Sequence, residues 1–134
     1  MKYLFLITIF VLGITAELVL PTIPEGFKSI SADDAEFRSL FDYYRLETST
    51  QIESIHPECN DNFVQQKYIK FQVAASRKSN EFPGFKDYFA VFVLNRDHCQ
   101  LPVVFNLRNV GSSGCFVGPC VVAKIEIEFG REVC

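Results

Sequence analysis

Tryptophan is absent from this 134-residue chain, and methionine occurs once. The lack of Trp removes one of the side chains that most often anchor a protein interface. There is no C-x-x-C spacing, no G-x-S-x-G, no H-E-x-x-H and no phosphate-cradling glycine loop. The usual sequence signals for a zinc site, a serine hydrolase, a zinc protease and a nucleotide-binding enzyme are therefore missing. No N-x-S/T sequon occurs, so N-glycosylation is not expected. Repeats, low-complexity tracts and charge blocks are also lacking, which leaves no sign of a second domain.

What is present begins with an address. Lys2 supplies a short positive start, Tyr3 to Gly13 is an apolar run, and Ala16 closes it with Ile14 two residues before. That run has the length of a secretory h-region and is too short to span a bilayer. Residues 1–16 read as a signal peptide and residues 17–134 as a single domain, secreted and extracellular. Removing Lys2 from 13 basic residues leaves 12 against 16 acidic ones, a formal charge of −4. This balance argues against a nucleic acid or an anionic membrane as partner. Most of the many Phe side chains are assigned to a core.

Export gives meaning to five cysteines, Cys59, Cys99, Cys115, Cys120 and Cys134. Two bridges and one leftover can be arranged in 15 ways, and the leftover is either a free thiol or a link to a second chain. Cys134 ends the chain just after a well-patterned strand, so it is expected to be bridged. Cys120 and Cys115 are its favoured partners, Cys99 takes the other, and Cys59 is left unpaired. Only His56 and His98 accompany these cysteines, so no metal site is expected. His98 and Cys99 are neighbours on a strand and point to opposite faces, which disfavours a catalytic pair. No catalytic residue and no cofactor is expected; Glu126 and Glu128 beside Lys124 read as a solvated strand face.

The periodicity predicts one helix and then a sheet. Ser31 and Asp34 form a capping-box pattern, and Phe37, Leu40, Phe41 and Tyr44 recur at helical spacing. Glu36, Arg38, Asp42 and Arg45 take the wet side, and the helix is expected to fade near Thr48 to Thr50. Period-two alternation follows in Lys67–Ala75, Val103–Val110 and Val121–Phe129, while Tyr88–Leu94 is nearly continuous apolar sequence, as in a central strand. In the first of these, Ile69, Phe71, Val73 and Ala75 are expected to share a face. The fold class is α+β, one long helix packed across a four- to five-stranded antiparallel sheet, with Leu18–Leu20 as a further edge strand.

This arrangement resembles a secreted cystatin-type domain over most of residues 24–134. The resemblance rests on Pro24-Glu25-Gly26 before the helix, on Phe41-Asp42-Tyr43-Tyr44 within it, and on Gln72-Val73-Ala74-Ala75-Ser76. It rests also on the aromatic strand Asp87–Leu94 running to Cys99, and on cysteines gathered in the C-terminal half. It implies inhibition of papain-like cysteine proteases through a Gly near the N-terminus, a first hairpin with Q-x-V-x-G and a second with Pro-Trp. Gly26 fills the first role and Gln72, Val73, Ala74, Ala75 and Ser76 the second. Ala74 replaces the Val and Ser76 the Gly, roughly ten residues from Arg77 to Lys86 lengthen the turn, and Gly111 to Gly118 takes the place of Pro-Trp. The expected function is a secreted binding protein, a weak or divergent inhibitor whose partner is a cysteine protease or another secreted protein. The alternative is a non-inhibitory structural or effector module on the same scaffold, which a disulfide-linked dimer would suit.

Overall fold

Asp34 starts the helical part of the chain. Its carboxylate accepts the Phe37 N–H at 2.9 Å, making it the N-cap of helix α1, Ala35–Tyr43. Ser31 is not the cap; its hydroxyl accepts from the Asp33 N–H at 3.2 Å. The computed structural model describes residues 17–66, 68–113 and 120–134, so residues 1–16, where a signal peptide is expected, and Cys115 lie outside the described residues. Within these, the single long helix of the sequence reading is replaced by α1, α2 (Arg45–Ile55) and α3 (Pro57–Gln65) in close succession.

Local chemistry explains the breaks. Tyr44, at φ −96° and ψ 15°, kinks the chain between α1 and α2. His56 is driven to φ −132° and ψ 75° because the Pro57 ring excludes helical backbone in the residue before it. Pro57 itself suits the first position of α3, where a missing N–H leaves nothing unpaired. Thr48 does not end the helix. It is buried, and its hydroxyl donates to the Tyr44 carbonyl at 3.0 Å, so its polar group is satisfied inside α2. Each helix buries a pair four residues apart: Phe37 and Phe41, Thr48 and Ile52, Cys59 and Phe63.

Five strands follow one another across a single antiparallel sheet: β1 (Lys28–Ser29), β2 (Phe71–Lys78), β3 (Lys86–Arg96), β4 (Cys99–Ser112) and β5 (Cys120–Phe129). The edge strand is β1; Leu18–Leu20 forms no strand. The helices cover one face with an aromatic core. Phe41 meets Phe71, Phe105, Phe92 and Phe63 edge-on, with ring centroids 4.8, 5.2, 6.2 and 6.4 Å away. Such edge-to-face pairs add attraction beyond the area they bury.

A bulge in β2 resets the alternation. Phe71 faces Phe92 and Val73 faces Val91, so Gln72 is the extra residue. Ile69, Phe71 and Ala74 therefore lie on the helix side, and Val73 turns to the other face. There Phe89, Val91 and Val104 are buried with Val73 beneath Leu20, Ile23 and Phe27. The segment before β1 is thus a strap over the second face, which is why β3 is apolar on both sides.

Two arginines expected on the wet side act as pins. Arg38 donates to the carbonyl of Ala32 at 2.9 Å, to the Tyr68 hydroxyl at 2.9 Å and to the Ile69 carbonyl, and lies over the Tyr68 and Phe71 rings. Arg45 donates to the Gln66 carbonyl and sits over Phe63, 5.2 Å from its centroid. At the far end of the sheet, Gln100 and Val133 exchange backbone hydrogen bonds of 2.7 and 2.9 Å. Cys99 and Cys134 are disulfide-bonded just beyond them. Cys134 is therefore joined to Cys99, not to Cys115 or Cys120, because the tail after β5 folds back along the start of β4.

Candidate binding edge

The sheet register brings three separated segments to one end. Lys28 pairs with Ser76, Ser76 with Tyr88, Tyr88 with Leu107 and Leu107 with Ile125. The residues beyond this row are the turn before β1, the β2–β3 connection and the approach to the β4–β5 connection. Pro24 to Phe27 is a turn closed by the Phe27 N–H on the Pro24 carbonyl at 3.2 Å. Gly26 holds φ +91° there, a conformation in which other residues are strained. The β2–β3 loop, Ser79 to Phe85, closes on a 2.9 Å bond from the Ser79 N–H to the Phe85 carbonyl.

Asp87 ties these segments together. It is 4 % exposed. Its carboxylate accepts from Arg77 Nε at 3.0 Å, from the Asn109 backbone N–H at 2.9 Å and from Asn109 Nδ2 at 3.0 Å. Burial acts to raise the pKa of Asp87, but the two Asn109 donors and the Arg77 guanidinium outweigh it and hold the carboxyl below its ordinary value. Arg77 in turn lies over the Phe27 ring, 4.7 Å from the centroid. One buried carboxylate thus connects the strap, β2, β3 and β4. The loops also touch: a Cβ built on Gly111 would meet the Phe82 ring at 3.4 Å, so Phe82 is folded inward across β4.

Beside this end a groove of about 440 Å³ opens between α1 and the sheet, bordered by Glu36, Leu40, Tyr44, Phe85 and Ala123. Tyr88 lies at its base. The hydroxyl is buried, and among the described residues no atom meets hydrogen-bond geometry with it. Burial first, and then the nearby Glu36 and Asp34 carboxylates, push the Tyr88 pKa up. Glu36 is an acceptor near the phenol yet does not complete a bond; it is paired with Lys86 Nζ at 3.5 Å.

The sequence-derived site residues fall differently. Gly26 is at this end, in the turn before β1. Gln72, Val73, Ala74, Ala75 and Ser76 form the body of β2, with Gln72 at the bulge and Ala74 and Ala75 buried. The loop tip is Ser79 to Phe85. Gly111 and Ser112 belong to β4, and residues 114–119 lie outside the described residues. Of the cysteines, Cys99 and Cys134 are joined to each other, Cys120 is disulfide-bonded, and Cys59 is a buried free thiol. Sequence reasoning missed Arg77, Phe82, Asp87 and Asn109. An Asp opening an apolar strand, with an Arg ten residues before it, is the one signal that pointed to them. No protein-family model, no curated protein and no solved structure matches the chain.

Proposed function

We propose that the chain is a secreted binding protein on a cystatin-like scaffold, acting as a weak, divergent inhibitor of papain-like cysteine proteases. The observation that carries the reading is the Asp87 network, which fixes the turn at Gly26, the β2–β3 hairpin and β4 at one end of the sheet. A pre-ordered edge of this kind loses little conformational entropy on docking. Residues 1–16 support export, and no helix among the described residues is long and apolar enough to cross a membrane.

A second reading, a non-inhibitory module on the same scaffold, draws support from Ala74 and Ala75, which are buried, and from Phe82, which packs inward on Gly111. These positions offer a protease cleft less than an outward-pointing wedge would. Binding of the refolded chain to an immobilised papain-like protease separates the two. Under the first reading the protein binds the open enzyme and is displaced when the active-site cysteine is blocked by a small covalent group. Equal binding to both forms, or none, favours the second.

A further inference from the structure

The free thiol at the other end of the molecule is not isolated. Cys59 sits in the first turn of α3 and is 1 % exposed. One donor atom each from His56, Glu58 and Cys59 lie within 4.8 Å of one another. His56 Nδ1 and Glu58 Oε1 are 3.1 Å apart, and the imidazole is held edge-on to Phe129 with centroids 4.6 Å apart. Pro57 fixes the backbone between the first donor and the other two, so the arrangement is built by the fold.

We propose that His56, Glu58 and Cys59 form a binding site for a soft divalent cation, with Zn²⁺ the ion that fits. Nitrogen, oxygen and sulfur donors in one cluster are the set zinc takes, and three protein ligands leave a position for water. Donors on a tetrahedral zinc stand roughly 3.3 to 3.6 Å apart, from bond lengths of about 2.0 to 2.3 Å. The His56–Glu58 pair, at 3.1 Å, has to open by only a few tenths of an ångström, and the Cys59 sulfur needs at most a shift of about an ångström.

The Glu58 and Glu132 carboxylates near Cys59 place negative charge where a dication would sit. Burial, together with the Glu58 and Glu132 carboxylates, raises the Cys59 pKa, and Arg96 opposes them more weakly. The metal-free thiol is therefore protonated at neutral pH. On binding, the sulfur forms a bond to the metal and its proton passes to solvent; nothing is oxidised or reduced. The alternative is an ordinary His56–Glu58 ion pair beside a core thiol. Both its partners are partly exposed, at 34 % and 43 %, and open to an ion from solution.

Titration of the refolded full-length mature chain, disulfides intact and free of thiol reductant, tests this. Co²⁺ serves as a spectroscopic probe and Zn²⁺ as its competitor. The expected result is one Co²⁺ per chain with a thiolate-to-metal charge-transfer band, displaced by Zn²⁺ and weakened as the pH is lowered. Cys59→Ser removes the band. His56→Gln and Glu58→Gln each weaken Zn²⁺ binding at least tenfold, while the metal-free protein still unfolds cooperatively with a midpoint shifted by far less than the loss in affinity. If Cys59→Ser fails to fold, the two partly exposed variants decide alone. No charge-transfer band at millimolar Co²⁺, or Zn²⁺ affinity untouched by His56→Gln and Glu58→Gln, overturns the site.

Discussion

Gln51 Oε1 accepts the backbone N–H of Ile127 at 3.0 Å, and Nε2 of the same side chain donates to the Ile125 carbonyl at 2.7 Å. A neighbouring strand would make these two bonds. A helical residue therefore stands in for a strand at the centre of the outer edge of β5. Unpaired strand edges invite association with other chains, and a covered one resists it.

Gln51→Ala should lower stability by about 1 to 2 kcal/mol, the net worth of two partly buried hydrogen bonds. The urea midpoint should fall with an unchanged slope, since the surface exposed on unfolding stays the same. Hydrogen exchange at the Ile127 amide should quicken more than at amides of β3. An unchanged Ile127 exchange rate would show that the amide does not protect the edge.

Asp87 makes stability depend on pH in a definite direction. Its folded-state pKa lies below the ordinary value of 3.8, so the unfolded chain binds its proton first on acidification. The contribution is complete above that ordinary value and is lost as the pH falls through the lower folded value. Asp87→Asn should cost roughly 2 kcal/mol at pH 7, in the range for hydrogen bonds to a charged group. It should also flatten the loss of stability below about pH 4. Denaturant titrations of both proteins between pH 2 and 7 measure this; parallel curves would remove Asp87 as the source.

The Cys99–Cys134 bond spans a sequence separation of 35 and ties the tail to the first residue of β4. Chain entropy alone puts such a loop closure at about 4 kcal/mol. Cys134→Ser should destabilise by roughly 2 to 4 kcal/mol, and the Gln100 amide should lose protection as the Val133 bridge frays. Peptide mapping without reductant should yield Cys99 and Cys134 in one linked fragment. Finding either as an alkylated thiol would contradict the pairing.

The sheet was legible because the alternation of Val103, Phe105 and Leu107 and of Ile125 and Ile127 follows from one face being buried. The first part of the helical region was legible through Phe37 and Phe41. What failed had local causes. The β2 bulge at Gln72 shifts the phase by one residue, and no composition signal marks it. Thr48 reads as a helix terminator until its hydroxyl is seen to bond Tyr44. Pro57 begins α3, a helix the periodicity did not predict. Arg38 and Arg45 look solvated, yet both reach carbonyls far along the chain. The Asp87 network joins residues 22 positions apart, which only the register reveals.

The most direct test of the proposed activity is a stoichiometric titration of a papain-like cysteine protease with the refolded mature chain, repeated with Phe82→Ala and Asp87→Asn. Trp is absent, and with it the anchor that the proposed likeness assigns to the second hairpin. Loss of such an anchor costs at least about 2 kcal/mol, or roughly thirtyfold in affinity. The expected result is competitive inhibition in the micromolar range or weaker, diminished further by both substitutions at the hairpin end. Nanomolar inhibition would contradict the weak-inhibitor reading. No inhibition at several hundred micromolar, or inhibition indifferent to both substitutions, would contradict the hairpin end as the protease-binding surface.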